Sequence, residues 1–236
     1  NPYNSYNTCG RDLVQEFVDA CREYDLKIGF YSSLMDWHHP DSWRCAYDAE
    51  ARARFLQYIE DLNVELLTNY GKIDILWYDV SCPMESVEGW DSVARNNRLR
   101  ALQPHIIINN RSVLPEDFGT PEGKIQAEGR DWESCLTLTD LAWGYVDAEQ
   151  AAPFMHSPKS IVRKLHLCTC GGGNLLLNVG PMPDGSIDKY TDETLTKVGD
   201  WLAVNGAATY GKKFRTGPVY SANTLTAVSA DSDCKT

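Results

Sequence analysis

Apolar positions along the chain follow two alternating rhythms, one helical and one dense and strand-like. Between residues 11 and 24, Leu13, Phe17, Ala20, Cys21 and Tyr24 fall near i, i+4, i+7, i+8 and i+11. That spacing predicts a helix with one apolar face. Residues 27–34 form a β-favouring run and predict a strand, followed by a polar-aromatic loop over 35–41. A long helix is expected over 46–70, with Phe55, Ile59, Leu62 and Leu66 inward and Gly71 as its stop. Next comes Gly71-Lys72-Ile73-Asp74-Ile75-Leu76-Trp77-Tyr78-Asp79-Val80. Its apolar density after a glycine turn is that of a strand buried on both faces.

Residues 91–103 predict a helix that Pro104 stops, and residues 105–111 a buried strand ending in polar groups. A short strand is expected at 124–128, whereas 131–135 carries neither rhythm. Ser157 as N-cap and Pro158 at the first helical position open a helix to about residue 169. Gly171-Gly172-Gly173 ends it, and residues 174–181 read as another buried strand. Because the glycines precede a strand, tight helix–strand packing explains them better than an anion site, which needs a helix N-terminus after the loop. Thr191 is expected to cap a last helix, with Leu195, Val198 and Leu202 inward and Gly206 as its stop. A polar tail from Gly211 holds a hint of a strand at 218–220.

Helices alternating with buried strands predict parallel strands with helices outside. The strand ends carry Tyr31, Asp79 and Arg111. The carboxyl ends of parallel strands are where barrel enzymes keep their chemistry, so the expected fold is α/β with a parallel barrel. Asp79 could equally cap a helix or close a turn if that stretch stood alone.

Composition narrows the function classes. The chain has 236 residues, room for one large or two small domains. With 43% hydrophobic and 23% charged residues it can bury a sizeable core. A net charge of −11 argues against nucleic acid and anionic membrane as partners. No apolar run is long enough to span a bilayer. Asn1 is not an initiator methionine, so an export signal could have been removed. The eight cysteines include Cys168-Thr169-Cys170, too tight for a usual zinc pair, and no CxxC, so no zinc site is expected. Cys9, Cys21, Cys45, Cys82, Cys135 and Cys234 are scattered singly, most of them expected as small core residues. Seven tryptophans and twelve tyrosines offer flat walls for a ring-shaped ligand. His38 and His39, with Asp36 and Asp41, are a weak metal candidate, because adjacent histidines on an extended loop point apart. That loop is expected either to line outer ligand subsites or to be structural.

Two carboxylates flanking a scissile bond are the recurring equipment of glycoside hydrolysis. Asp79 is the first candidate. Glu133 is the second, since its place between Trp132 and Cys135 suggests partial desolvation, which raises a carboxyl pKa as a proton donor requires. Glu85, Glu88, Glu122 and Glu128 are rivals that read more simply as solvated surface charges.

At this point the chain resembles the α-L-fucosidases of glycoside hydrolase family 29. The resemblance rests on Gly29-Phe30-Tyr31-Ser32-Ser33 with Asp36-Trp37-His38-His39-Pro40-Asp41, on Leu76-Trp77-Tyr78-Asp79, and on Ile108-Asn109-Asn110-Arg111. It continues through Asp131-Trp132-Glu133-Ser134-Cys135, Trp143-Gly144-Tyr145, and Gly172 to Pro181 with Asp184-Gly185. These stretches run in family order and cover residues 10–211. The resemblance implies Asp79 as nucleophile, Glu133 as acid/base, and Tyr31, Trp77 and Arg111 as sugar-binding residues; Trp37, His38 and His39 of the 35–41 loop are further substrate-binding candidates. It implies a retaining, exo-acting α-L-fucosidase on fucosylated oligosaccharides or glycoconjugates, with no cofactor and no metal. A secreted, periplasmic or lysosomal location is the corresponding expectation.

Asn110 departs from the family's Asp beside the Arg, which bears on how Arg111 is oriented. The family's His-Trp-Gly and His-His-Asp segments are not in this chain. The expectation is therefore a partial (β/α)8 barrel over residues 1–210, lacking its N-terminal strands, and a β segment or tail over 211–236. A whole barrel needs roughly 250 residues, and the resemblance places about three strand–helix units before Asn1. On that reading residues 1–236 alone have low stability and little activity. The alternatives are a noncatalytic carbohydrate-binding remnant and a barrel glycosidase acting on a related sugar such as a galactoside.

Overall fold

The computed structural model describes residues 4–214 and 229–231. They fall into two compact units, one up to Phe118 and one from Gly119 onward. Both are mixed α/β.

The first unit begins with a short helix, α1 (Ser5–Cys9), and then α2 (Leu13–Glu23), whose N-cap Asp12 accepts from the Gln15 N–H. Strand β1 (Gly29–Ser33) follows, then a 3-10 turn at Arg44–Ala46 and the long helix α3 (Ala49–Asn69). Strand β2 (Ile75–Asp79), helix α4 (Ser92–Leu102), strand β3 (Ile107–Ile108) and a 3-10 turn at Asn110–Ser112 complete it. The sheet order is β1-β2-β3, all parallel, with Tyr31 opposite Trp77, Ser33 opposite Asp79 and Leu76 opposite Ile108. Side chains alternate across β2: Leu76 and Tyr78 are buried, whereas Ile75, Trp77 and Asp79 lie on a partly open face.

Two helix faces differ from expectation. On α2 the packed stripe is Val14, Val18 and Cys21, while Leu13, Phe17 and Tyr24 are exposed. The two stripes adjoin on the helix, and both have helical spacing, so periodicity alone favours neither. On α3, Phe55 and Ile59 are inward as expected, but Asn63 and Leu67 continue the buried row and Leu62 is exposed. Buried Asn63 accepts at Oδ1 from Ser32 Oγ at 2.6 Å, while its Nδ2 has no hydrogen-bond partner. The strand expected over 105–111 shortens to Ile107–Ile108. Beyond it the Asn109 amide takes over the ladder, accepting from Tyr78 N–H and donating to Tyr78 O, both at 2.9 Å.

In the second unit, strand β4 (Glu133–Thr137) is followed by a short helix α5 (Ala148–Ala151) that runs into a 3-10 turn at Ala152–Phe154. Helix α6 (Pro158–Cys170), strand β5 (Asn174–Asn178) and helix α7 (Lys189–Asn205) come next, with a 3-10 turn at Gly206–Ala208. Strands β6 (Lys212–Phe214) and β7 (Ser229–Asp231) pair antiparallel. β4 and β5 are parallel, from Glu133 opposite Asn174 to Thr137 opposite Asn178. Leu138, Ile161 and Val198 centre this unit's apolar cluster, with Leu177, Leu195 and Leu202 packed around them.

The strand expected at 124–128 is absent. The strand lies instead at Glu133–Thr137, in the stretch that carried neither rhythm. Residues before it meet it only through single bridges, Gly119 to Trp132 and Glu122 to Cys135. The glycine run does pack helix against strand, as its order suggested. A β-carbon at Gly173 would fall 2.2 Å from the buried Trp132 ring, whose Nε1 donates to Gly171 O at 3.1 Å. Gly173→Ala is therefore expected to destabilise the protein by roughly 1–3 kcal/mol, since the ring has no room to retreat. Urea denaturation monitored by fluorescence would read this as a lower midpoint at unchanged slope.

Asp188, not Thr191, caps α7, its Oδ1 accepting from the N–H groups of Tyr190 and Thr191. Burial opposes its charge, but these bonds and the Thr191 hydroxyl hold its carboxyl below the usual range. Asp188→Ala should cost about 1 kcal/mol at neutral pH. A depressed carboxyl stabilises only while ionised, so the difference from wild type should fade as pH falls below about 4. The expected strand at 218–220 lies outside the described residues. Among the described residues no helix is long and apolar enough to cross a membrane.

Candidate active site

In the first unit, four of the expected site residues converge. The register that sets Tyr31 beside Trp77 places both on the same face of the sheet. Their rings stack at 5.8 Å with an interplanar angle of 16°. Asp79, two residues beyond Trp77, lies on that face too. The Tyr31 hydroxyl donates to Asp79 Oδ2 at 2.8 Å, and Arg111 Nη1 donates to Asp79 Oδ1 at 2.9 Å. The Arg111 guanidinium also sits over the Trp77 ring, 5.3 Å from its centroid. Each carboxylate oxygen thus has a donor that fixes its direction, and the Arg111–Asp79 pair is largely screened from solvent.

The backbone beneath is held firmly. Asn109 clamps Tyr78 on both its N–H and its carbonyl, directly before Asp79. Val80 then turns away with φ of 53°, and Val113, just past Arg111, has φ of 67°. A β-branched residue rarely adopts that left-handed conformation, which costs about 1–3 kcal/mol and tends to occur at functional sites.

The loop after β1 divides its expected roles. Trp37 is 83% exposed and, with Tyr31, Ser33 and Asp36, lines an open cavity of about 430 Å³. His38 is exposed as well. The His39 ring instead packs on Phe55 and Tyr58, at 5.0 and 4.5 Å, and its Nδ1 accepts from the Asp41 N–H. Asp36 anchors the loop by accepting from Tyr58 Oη and the His38 N–H. Burial opposes its charge, but those two bonds and the flanking histidines hold its carboxyl below the usual range.

In the second unit, Glu133 is the first residue of β4, opposite the first residue of β5. Its Oε1 lies 3.9 Å from Cys135 Sγ. Glu133, Cys135 and Thr137 share one face of the strand, and Leu138 on the other side joins the helix-packed cluster. Glu122, a rival in the sequence, sits nearer the strand's carboxyl end because it bridges to Cys135. Its Oε1 accepts from Trp143 Nε1 at 3.1 Å. Glu122, Cys135, Thr137, Asp140 and Trp143 line an open cavity of about 430 Å³. Nothing in the local sequence separates Glu122 from a surface charge. Its position depends on pairing with a strand that periodicity did not reveal.

A buried parallel strand thus ends in a carboxylate held by tyrosine and arginine, with a stacked aromatic wall beside it, on a mixed α/β scaffold. The alpha-L-fucosidase family profile matches residues 1–207, and the chain belongs to that family. Tissue alpha-L-fucosidase of Bos taurus is 30% identical over 213 residues, covering 86% of this chain and 45% of the relative. Plasma alpha-L-fucosidase of Homo sapiens is 29% identical over 219 residues, covering 85% of this chain and 45% of the relative. The chain thus spans about half the length of these curated relatives. Among solved structures, alpha-L-fucosidase isoenzyme 1 from Paenibacillus thiaminolyticus superposes with a TM-score of 0.77 at 35% identity, covering 92% of this chain and 58% of that one. A family 29 alpha-L-fucosidase of Bacteroides thetaiotaomicron, solved as a trapped covalent intermediate with 2-fluoro-fucosyl fluoride, superposes with a TM-score of 0.76 at 25% identity, covering 90% and 54%.

Proposed function

We propose that this chain carries the nucleophile and the proton donor of a retaining, exo-acting α-L-fucosidase that removes terminal fucosyl residues from glycoconjugates. The observation that supports this most is Asp79 at the end of β2, its oxygens held by Tyr31 and Arg111 beside the Trp77 ring. The strand–helix alternation in each unit goes with that reading as a portion of a (β/α)8 barrel.

Asp79 attacks the anomeric carbon and forms a glycosyl-enzyme ester, while a second carboxyl protonates the leaving oxygen and then activates water. In a retaining enzyme the two carboxyls stand about 5–5.5 Å apart across the bond. Rigid placement matters more than basicity for the attacking group, and the clamped β2 end supplies it. Arg111, with its fixed fork of donors, suits sugar hydroxyls, and the Tyr31–Trp77 wall suits the apolar 6-methyl edge of fucose. Trp37 and His38 face the outer subsites, and His39 holds their loop against α3.

Two carboxyls of the second unit compete as proton donor. The motif position favours Glu133. The geometry favours Glu122, because barrel chemistry gathers at the carboxyl ends of strands and Glu133 stands at the opposite end of β4. Glu122 also lines a cavity large enough for part of a sugar and is hydrogen-bonded there.

The natural protein should hydrolyse nitrophenyl α-L-fucoside far faster than nitrophenyl galactoside. Preference for the galactoside would indicate a related-sugar glycosidase, and fucose binding without turnover of either would indicate a noncatalytic module.

A further inference from the structure

The Trp143-Gly144-Tyr145 loop is anchored by the carboxyl end of β5. Asn178, at the carboxyl end of β5, donates from Nδ2 to Trp143 O at 2.7 Å. Gly180 lies flush against the next peptide. A β-carbon there would fall 2.7 Å from Tyr145 N and 2.8 Å from the Gly144 carbonyl, so a side chain would push the loop away. On the other flank, Asp140 Oδ2 lies 3.0 Å from His156 Nε2, close but not aligned as a hydrogen bond. What this anchored backbone presents is the Trp143 indole, whose N–H reaches Glu122 Oε1 at 3.1 Å. The ring itself is 43% exposed, so burial of apolar area does not account for its placement.

We propose that Trp143 is a positioning residue for the proton donor, with Asn178 and Gly180 fixing the loop that aims it; this rests on the assignment of Glu122 as that donor. An indole N–H can only donate. Bound to Oε1, it sets the carboxyl plane. A proton donor works only within hydrogen-bond reach of the leaving oxygen, so a carboxyl free to rotate loses effective concentration. Because the donor is neutral, it orients the carboxyl without adding a charge to the site.

The test compares variants of the natural protein on two substrates, methyl α-L-fucoside, whose leaving group needs a proton, and dinitrophenyl α-L-fucoside, whose leaving group does not. Trp143→Phe keeps a ring and removes the N–H. It should lower kcat/KM on the methyl fucoside roughly ten- to a hundredfold, with a much smaller loss of kcat/KM on the dinitrophenyl fucoside. Asn178→Ala should show the same selectivity, since it frees the loop without touching Glu122. Equal losses on both substrates, or no loss on either, would overturn the proposal. Glu122→Gln separates the role of the donor from that of Trp143. If it is selective and Trp143→Phe is not, Trp143 alone is misassigned; if it is not selective itself, the donor assignment falls and the role of Trp143 with it.

Discussion

Replacing Asp79 by alanine is expected to lower fucoside turnover in the natural protein by at least about 10³-fold, in line with the loss of a catalytic nucleophile elsewhere. Tyr31 and Arg111, the groups bonded to Asp79, act as donors to it. The variant leaves a cavity beside Arg111 into which a small anion fits. Azide should therefore restore part of the rate and yield a fucosyl azide inverted relative to the substrate, because it attacks from the vacated face. Arg111 also loses the anion it pairs with in a largely screened setting, so the melting temperature should be read alongside. Asp79→Asn, which keeps the shape, separates the two effects: activity should fall as far, with the fold disturbed less. Retention of more than a few per cent of wild-type turnover in either variant would remove Asp79 from the mechanism.

The second large effect concerns the donor. Glu122→Gln should lower kcat/KM on the methyl fucoside by roughly 10²–10⁴-fold while largely sparing kcat/KM on the dinitrophenyl fucoside, because kcat/KM reports the first step and a good leaving group departs in it without a proton. Glu133→Gln should show no such contrast. Glu133 is the first residue of β4 and is not among the residues that line the cavity beside Glu122 and Trp143. If the leaving-group contrast appears with Glu133→Gln and not with Glu122→Gln, the motif position outranks the geometry.

Much of this was legible in the sequence, and the limits have physical causes. The strands ending at Tyr31 and Asp79 were readable because each is a dense apolar run broken by a polar end, and parallel pairing then brings those ends together. β4 was not, because Glu133-Ser134-Cys135-Leu136-Thr137 has no apolar density of its own. Its burial comes from partners distant in sequence, with Ser134 Oγ bonded to Lys124 O and Trp132 seated on Gly173. The position of Glu122 follows from that strand and was lost with it. The face of α3 shifted because Asn63 enters the core on a single hydrogen bond to Ser32, an exchange no hydropathy pattern registers. Arg111 was expected at the end of a strand and sits instead in a 3-10 turn, because the Asn109 side chain ends the ladder early.

Asp79 is expected to form a covalent bond to the anomeric carbon of fucose. Incubating the natural protein with 2-fluoro-fucosyl fluoride, digesting it and mapping the labelled peptide by mass spectrometry tests this directly. The slow-turnover reagent should leave a single fluorofucosyl ester on Asp79. A label on Glu122, Glu133 or any other residue, or no label in a protein that hydrolyses fucosides, would contradict it.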